Sequence, residues 1–181
     1  MEAVIQTGKP VAVLLAAGSA LRVSEGNALL LAWYPGQAGG TAAADILFGK
    51  VSPSGRLPVT FYHSVEELPD FLDYRMAGRT YRYFAGIPLY PFGYGLSYTR
   101  FVYESAKVDG DTLTVTLRNA GDMDADEVVQ AYIRADASPH ATPNSRLCAF
   151  SRVHVPAGET KTVSLPLPAE AFTVIDDAGR K

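Results

Sequence analysis

Two kinds of periodicity divide the chain. Over residues 1 to about 60, short unbroken apolar runs alternate with a helical pattern. Val11-Ala12-Val13-Leu14-Leu15 is continuous and of strand length, the pattern of a parallel strand covered on both faces. Ala28 to Trp33 is a second such run, ended by Tyr34-Pro35-Gly36. Thr41 to Phe48 predicts a helix with Ala43, Ile46 and Leu47 on one face, and Gly49 supplies a stop, since glycine adopts positive φ cheaply. Leu57 to Tyr62 predicts a further short strand, restricted by Pro58 to an edge or a strand start.

Residues 63 to 99 carry little periodicity. They hold Pro69, Gly78, Gly86, Pro88, Pro91, Gly93 and Gly95 among many aromatics. A connection of this length inside a compact protein is usually functional or a linker, and its aromatics imply that it packs against something. From residue 100 onward the pattern is all-β. Strands are predicted at Arg100 to Ser105, Leu113 to Asn119, Glu127 to Arg134, Leu147 to Val155 and Thr160 to Leu165. Leu113, Val115 and Leu117 alternate with Thr112, Thr114, Thr116 and Arg118, and Val163, Leu165 and Leu167 repeat the period of two. Asp109-Gly110, Ala120-Gly121-Asp122 and Pro156-Ala157-Gly158-Glu159 are turn signals at spacings suited to a β-sandwich.

Composition narrows the function classes. The chain of 181 residues is 48% hydrophobic and 19% charged, enough to fill a core. Its net charge is −3 and it has no run of Lys or Arg, which argues against nucleic acid or an anionic membrane as the main partner. The run Pro10 to Ala17 is too short to span a bilayer. Cys148 is alone, so no intrachain disulfide framework is expected. His63, His140 and His154 are far apart, and only His154 has a cysteine near ligand spacing, so no metal site is expected.

Several local motifs fail as chemistry. Asp122 to Glu127 starts like a calcium loop, but its sixth position is Glu127 rather than Gly and its twelfth is Ile133 rather than Glu. A polar turn fits better. Ser19, Ser24 and Ser54 lack the glycine-flanked elbow of a serine hydrolase. Gly36-Gln37-Ala38-Gly39-Gly40 lacks the lysine and spacing of a phosphate loop. Trp33 and Tyr34 end an apolar strand at the edge where α/β sheets place ligands, so they are either pocket residues or a domain-interface anchor. Gly78 to Phe84 combines Arg79, Arg82, Tyr81, Tyr83 and Phe84. Such residues stack on sugar rings and bond hydroxyls, or they pin the linker to its neighbours.

Taken in order, "TGKPVAVLLAAGSAL", "AWYPGQAGGTAAADILFGKVSPSGRLPVTFY", "LYPFGYGLSYTRF", "VTLRNAGDMDADEVVQAYI" and "RLCAFSRVHVPAGETKTVSLPL" resemble the C-terminal portion of a family 3 glycoside hydrolase. The β-xylosidase/β-glucosidase branch is the nearer likeness. The resemblance implies a fold that is α/β plus all-β: the C-terminal part of an α/β sandwich domain over 1–62, an aromatic and glycine-rich linker over 63–99, and a fibronectin type III-like (immunoglobulin-like) β-sandwich over 100–181 that lacks its last strand. It further implies an exo-acting retaining β-glycosidase whose N-terminal barrel, with the Asp nucleophile, is missing here. The expected partners are therefore that barrel and, in the full-length enzyme, a β-linked oligosaccharide or aryl glycoside. No cofactor is expected.

A retaining glycosidase needs two carboxylates about 5–5.5 Å apart. By the resemblance, the acid/base Glu lies either upstream of Met1 or in the loop before Tyr81, which offers Glu66, Glu67, Asp70 and Asp73. The plainer reading of Glu66 and Glu67 is the first turn of a short helix after Ser64. No residue of the chain is assigned a catalytic role, and the chain alone is expected to be inactive. The alternative is a non-catalytic carbohydrate-binding or adhesive β-module. A partial sheet at residues 1 to 60 would also leave apolar edges at Val11 to Leu15 and Leu29 to Leu31.

Overall fold

The computed structural model describes residues 1–23, 26–176 and 178–180. A short helix α1 (Glu2–Ile5), which carries no strong sequence signal, precedes strand β1 (Ala12–Leu15). This strand pairs in parallel with β2 (Ala28–Leu31), in the register Ala12 to Ala28 through Leu15 to Leu31. β2 stops two residues earlier than its apolar run, because Trp33 takes a left-handed φ of 52° and breaks the ladder. Helix α2 (Gly39–Leu47) starts at the paired glycines rather than at Thr41, and buries Gly39 and Ala43. Gly49 then has φ 71°, as its stop role requires.

The strand predicted at Leu57 to Tyr62 does not form. Pro58 has no N–H to give, so the segment pairs with residues 90–94 only where donors remain. Leu57 N–H donates to Tyr94 O at 2.8 Å, Gly93 N–H to Leu57 O at 2.7 Å and Phe61 N–H to Tyr90 O at 2.9 Å. Between 63 and 99 the regular structure is a 3-10 turn at Val65–Glu67 and one helical turn, α3 (Thr80–Tyr83).

Five antiparallel strands follow: β3 (Phe101–Asp109), β4 (Thr112–Asn119), β5 (Ala125–Ile133), β6 (Arg146–Val155) and β7 (Thr160–Pro166). They form a three-stranded sheet of order β3-β4-β7 and a two-stranded sheet β5-β6. Val115, Leu117, Val129, Ala131, Val155, Val163, Leu165 and Leu167 close the core between them. The alternation read from the sequence thus points its apolar positions inward. β3 runs past the predicted Ser105 to Asp109, with a bulge between Tyr103 and Ser105. Asn119 is fully buried and ties the turns of the sandwich together. Its amide donates to Met123 O and Val155 O at 2.8 and 2.9 Å, and its oxygen accepts from the Thr99 hydroxyl and from Gly121 N–H.

Candidate functional site

A surface groove lies where residues 58–62 and α3 meet the loop at Phe92. It is an open groove of about 510 Å³, lined by Pro58, Val59, Thr60, Tyr62, Met76, Phe92 and residues 80–83. Thr80 sits on its wall with φ 57°, an uncommon backbone for a β-branched residue. That conformation is held by a hydrogen bond from Thr80 N–H to the Tyr62 hydroxyl at 2.9 Å. Tyr62 in turn packs edge-on against Phe84, with ring centres 4.8 Å apart. The Thr60 hydroxyl is buried without a hydrogen-bond partner among the described residues.

Tyr81 shows what the aromatic run does. Its ring stacks on Phe92 at 4.1 Å, and both meet the edge of Tyr132 on β5. Its hydroxyl accepts from Leu147 N–H on β6 at 3.0 Å. Asn144 closes the same joint from the β5–β6 loop: its amide donates to Tyr81 O and Phe84 O at 2.9 and 2.8 Å. Gly78 to Phe84 is therefore pinned to β5, β6 and the loop between them. Arg82 lies 5.8 Å from the Tyr81 ring centre, where ring and cation attract. The glycines of Phe92-Gly93-Tyr94-Gly95 are required by close approach. A side chain at Gly93 (φ 80°) would strike Gln130 and Tyr132, and one at Gly95 would strike Gly55 O.

Trp33 meets Phe61 edge-on at 6.5 Å, Phe61 meets Tyr90 at 6.0 Å, and Tyr90 stacks on Tyr94 at 5.5 Å. Phe61 is buried, whereas Tyr34 is exposed. Trp33 thus begins an aromatic series that runs through Phe61 and Tyr90 to Tyr94.

The four acidic loop residues are engaged within their own loop. The Ser64 hydroxyl caps the turn by accepting from Glu66 N–H at 3.2 Å, and the Glu67 carboxylate accepts from His63 N–H at 2.7 Å. The Asp70 carboxylate accepts from Leu72 N–H at 2.8 Å. Asp73 is gripped by Arg75, whose Nε and Nη2 donate to its two oxygens at 3.0 and 2.8 Å. These side-chain bonds, then the bond from Arg75 N–H, hold the Asp73 carboxyl down at about 2. Arg79 is spent on the same loop, donating to Asp70 O and Asp73 O at 3.0 and 2.6 Å.

One polar cluster escaped the sequence reading. Glu127, the sixth residue of the rejected calcium motif, is buried and pairs with Arg56 at 2.6 Å. Tyr103 donates to its other oxygen at 3.2 Å. Burial, then the Glu127 charge, pushes the Tyr103 phenol well above its ordinary range. The pair joins the α/β half to the sandwich, and the only local signal for it was an acid at an inward-facing strand position. Its neighbours behave as a polar turn does: Asp124 caps Ala157 N–H at 2.8 Å, and Asp126 pairs with Arg152 and His154. Ser19 and Ser54 have no histidine partner among the described hydrogen bonds, and Ser24 lies outside the described residues.

Comparison with known proteins agrees with this architecture. The glycosyl hydrolase family 3 C-terminal domain matches residues 1–98, and a fibronectin type III-like domain matches residues 127–181. The chain is 42% identical over 186 residues to a xylan 1,4-beta-xylosidase of Xylanibacter ruminicola, covering 97% of this chain and 21% of that protein. It is 35% identical to a periplasmic beta-glucosidase of Salmonella typhimurium, covering 92% of this chain and 25% of the relative. Among solved structures, a GH3 exo-beta-xylosidase in complex with a xylobiose aziridine probe superposes with a TM-score of 0.86 at 28% identity, over 98% of this chain and 28% of that one. A beta-glucosidase from Erythrobacter marinus gives 0.83 at 37% identity, over 99% and 26%. The chain spans about a quarter of the length of the relatives it matches. With its two-stranded parallel sheet, its aromatic joint and its five-stranded sandwich, the chain belongs to glycosyl hydrolase family 3, carrying the family's C-terminal domain joined to a fibronectin type III-like domain.

Proposed function

We propose that this chain forms the C-terminal part of an exo-acting retaining β-glycosidase that hydrolyses O-glycosyl bonds of β-xylosides or β-glucosides, and that it is inactive by itself. In this reading residues 1–62 complete the α/β sandwich domain, 63–99 form the linker and a wall beside the substrate, and 100–181 form the fibronectin-like domain. The observation that carries it is the pairing of near end-to-end similarity with partial coverage: 97% of this chain but 21% of a xylosidase. The loop chemistry supports it. A general acid must hold its proton near neutral pH, and a carboxyl held at about 2 does not. Glu67 and Asp70 accept hydrogen bonds from His63 N–H and Leu72 N–H of their own loop.

The test has two arms. The pure chain should release no nitrophenol from aryl β-xyloside or β-glucoside above buffer; release abolished by Asp73→Asn or Glu67→Gln would overturn the inactivity. A hybrid enzyme, in which this chain replaces the 186 aligned residues of the Xylanibacter xylosidase, should hydrolyse the aryl xyloside. A folded but inactive hybrid would overturn the glycosidase reading.

A non-catalytic carbohydrate-binding role has one observation in its favour, the groove lined by Tyr62, Tyr81, Tyr83 and Arg82. The α/β half argues against it, because a free-standing binding module has no use for an incomplete sheet. Heat released on titrating xylobiose into the isolated chain, and lost in Tyr83→Ala, would move the assignment to that class.

A further inference from the structure

The groove beside α3 carries a charge that the rest of the chain leaves unanswered. Arg82 lines it. Among the described residues its guanidinium has no carboxylate partner and donates no hydrogen bond; its neighbour is the Tyr81 ring, 5.8 Å away. The two preceding arginines behave differently. Arg75 grips the Asp73 carboxylate, and Arg79 donates to Asp70 O and Asp73 O. No Asp or Glu among the described residues lines the groove, so the charge of Arg82 is uncompensated there. Thr60 lines the same groove, and its buried hydroxyl has no partner among the described residues, which makes it a second polar group with unused capacity. The groove wall is also strained at Thr80, with φ 57°, and backbone strain gathers at sites that clamp ligands.

We propose that this groove is a binding site for a small aromatic carboxylate, whose ring lies against Tyr62, Tyr83 and Met76 and whose charge meets Arg82. The walls select the body of the ligand. Tyr62, Tyr81, Tyr83 and Phe92 line an open space of about 510 Å³, which is within the range of small-molecule sites. Such rings hold another flat ring by offset or edge contact. Met76 is half exposed beside them, and its thioether adds a favourable sulfur–ring contact. Arg82 selects the charged group. A lone guanidinium is a planar fork that matches one carboxylate through two parallel hydrogen bonds. A neutral sugar is disfavoured. It presents hydroxyls around its whole rim and needs acceptors as well as donors, which Asp, Glu, Asn and Gln supply. None of these lines the groove among the described residues. The site is built from this chain's own residues, so it stands whether or not the glycosidase reading does.

Backbone amide shifts of the isotope-labelled chain, titrated with para-hydroxycinnamate, test this. The acid should bind with a dissociation constant of about 1 mM, the scale that so small a ligand reaches. The largest shifts should fall on Val59, Tyr62 and Tyr83, which line the groove. The methyl ester has the same ring without the charge and should bind about tenfold or more weakly. Arg82→Gln should weaken the acid by the same factor, leave the ester as it was, and keep the melting midpoint, because the Arg82 side chain is exposed. An ester that binds as tightly as the acid overturns the proposal, since the groove would then hold the ring alone. That comparison uses the natural chain, so it holds whether or not the variant folds. No shift at those three amides up to about 10 mM acid, tenfold above the expected constant, also overturns it. So does xylobiose moving the same amides at a lower concentration than the acid, which would make the groove a sugar site.

Discussion

The two halves of the chain use similar strands to opposite ends. In the sandwich, alternating strands meet across a closed interior, and Leu117, Val155, Val129 and Leu165 are no more than 2% exposed. In the α/β half, the apolar strands β1 and β2 hydrogen-bond to each other in a two-stranded sheet among the described residues, and Leu14 remains 47% exposed and Leu29 36%. Of the twelve buried apolar residues among those described, only Ala43 and Phe61 precede residue 100. The difference teaches that strand propensity and burial are separate matters. A run such as Val11 to Leu15 forms a strand because its side chains suit one, yet gains stability only when both faces are covered. The first half therefore leans on what touches it. Within this chain that is the aromatic series Trp33–Phe61–Tyr90–Tyr94, the Arg56–Glu127 pair and the Tyr81 pin.

The comparison breaks most sharply at the join. Removing Glu127 leaves the Arg56 guanidinium buried without its carboxylate, so Glu127→Ala should cost about 3–5 kcal/mol and turn a single unfolding transition into two by chemical denaturation. A single transition with an unchanged midpoint would show that the halves are not coupled there. Next comes the contrast within each half. Leu117→Ala opens a cavity in a filled core and should cost about 2–5 kcal/mol, while Leu14→Ala, already half in solvent, should stay within about 0.5 kcal/mol. Similar costs for the two, read from denaturant midpoints, would remove the distinction between a closed and an open core. The smallest effect concerns the loop between the halves. The Asp73 carboxyl lies at about 2 against an ordinary 3.8, so the braced loop binds fewer protons than the frayed one. Its contribution is full above the ordinary value and is lost as pH falls through the lowered one. Protection of the Arg75 amide, its exchange rate relative to the unstructured rate at the same pH, should hold at pH 4 and fall near pH 2, and Asp73→Asn should remove that fall. Equal protection at both values would dissolve the Asp73–Arg75 grip.

Much of the sandwich was legible because its signals are local. The period-two alternation at 112–118 and 163–167 set which residues enter the core, and the turn signals placed the strand ends to within a few residues. The Ser64 cap and the Gly49 stop were legible for the same reason: each depends on residues one to four apart. The strand expected at 57–62 failed because one proline removes a ladder donor and leaves a pair of short contacts. The aromatic run at 78–84 was readable as either sugar wall or pin, since a tyrosine that stacks on a sugar and one that stacks on Phe92 have the same sequence.

By itself the sequence determined the all-β class of the second half and the inward set of the sandwich, because these follow from patterns repeated along the chain, while the family was legible only through the resemblance of its quoted motifs. Only the tertiary structure decided what the singular residues do. Glu127 meets Arg56 across 71 positions, Tyr81 meets Leu147 across 66, and Asn144 meets Phe84 across 60. No local period encodes such pairings, because they depend on how separate elements come to rest against one another.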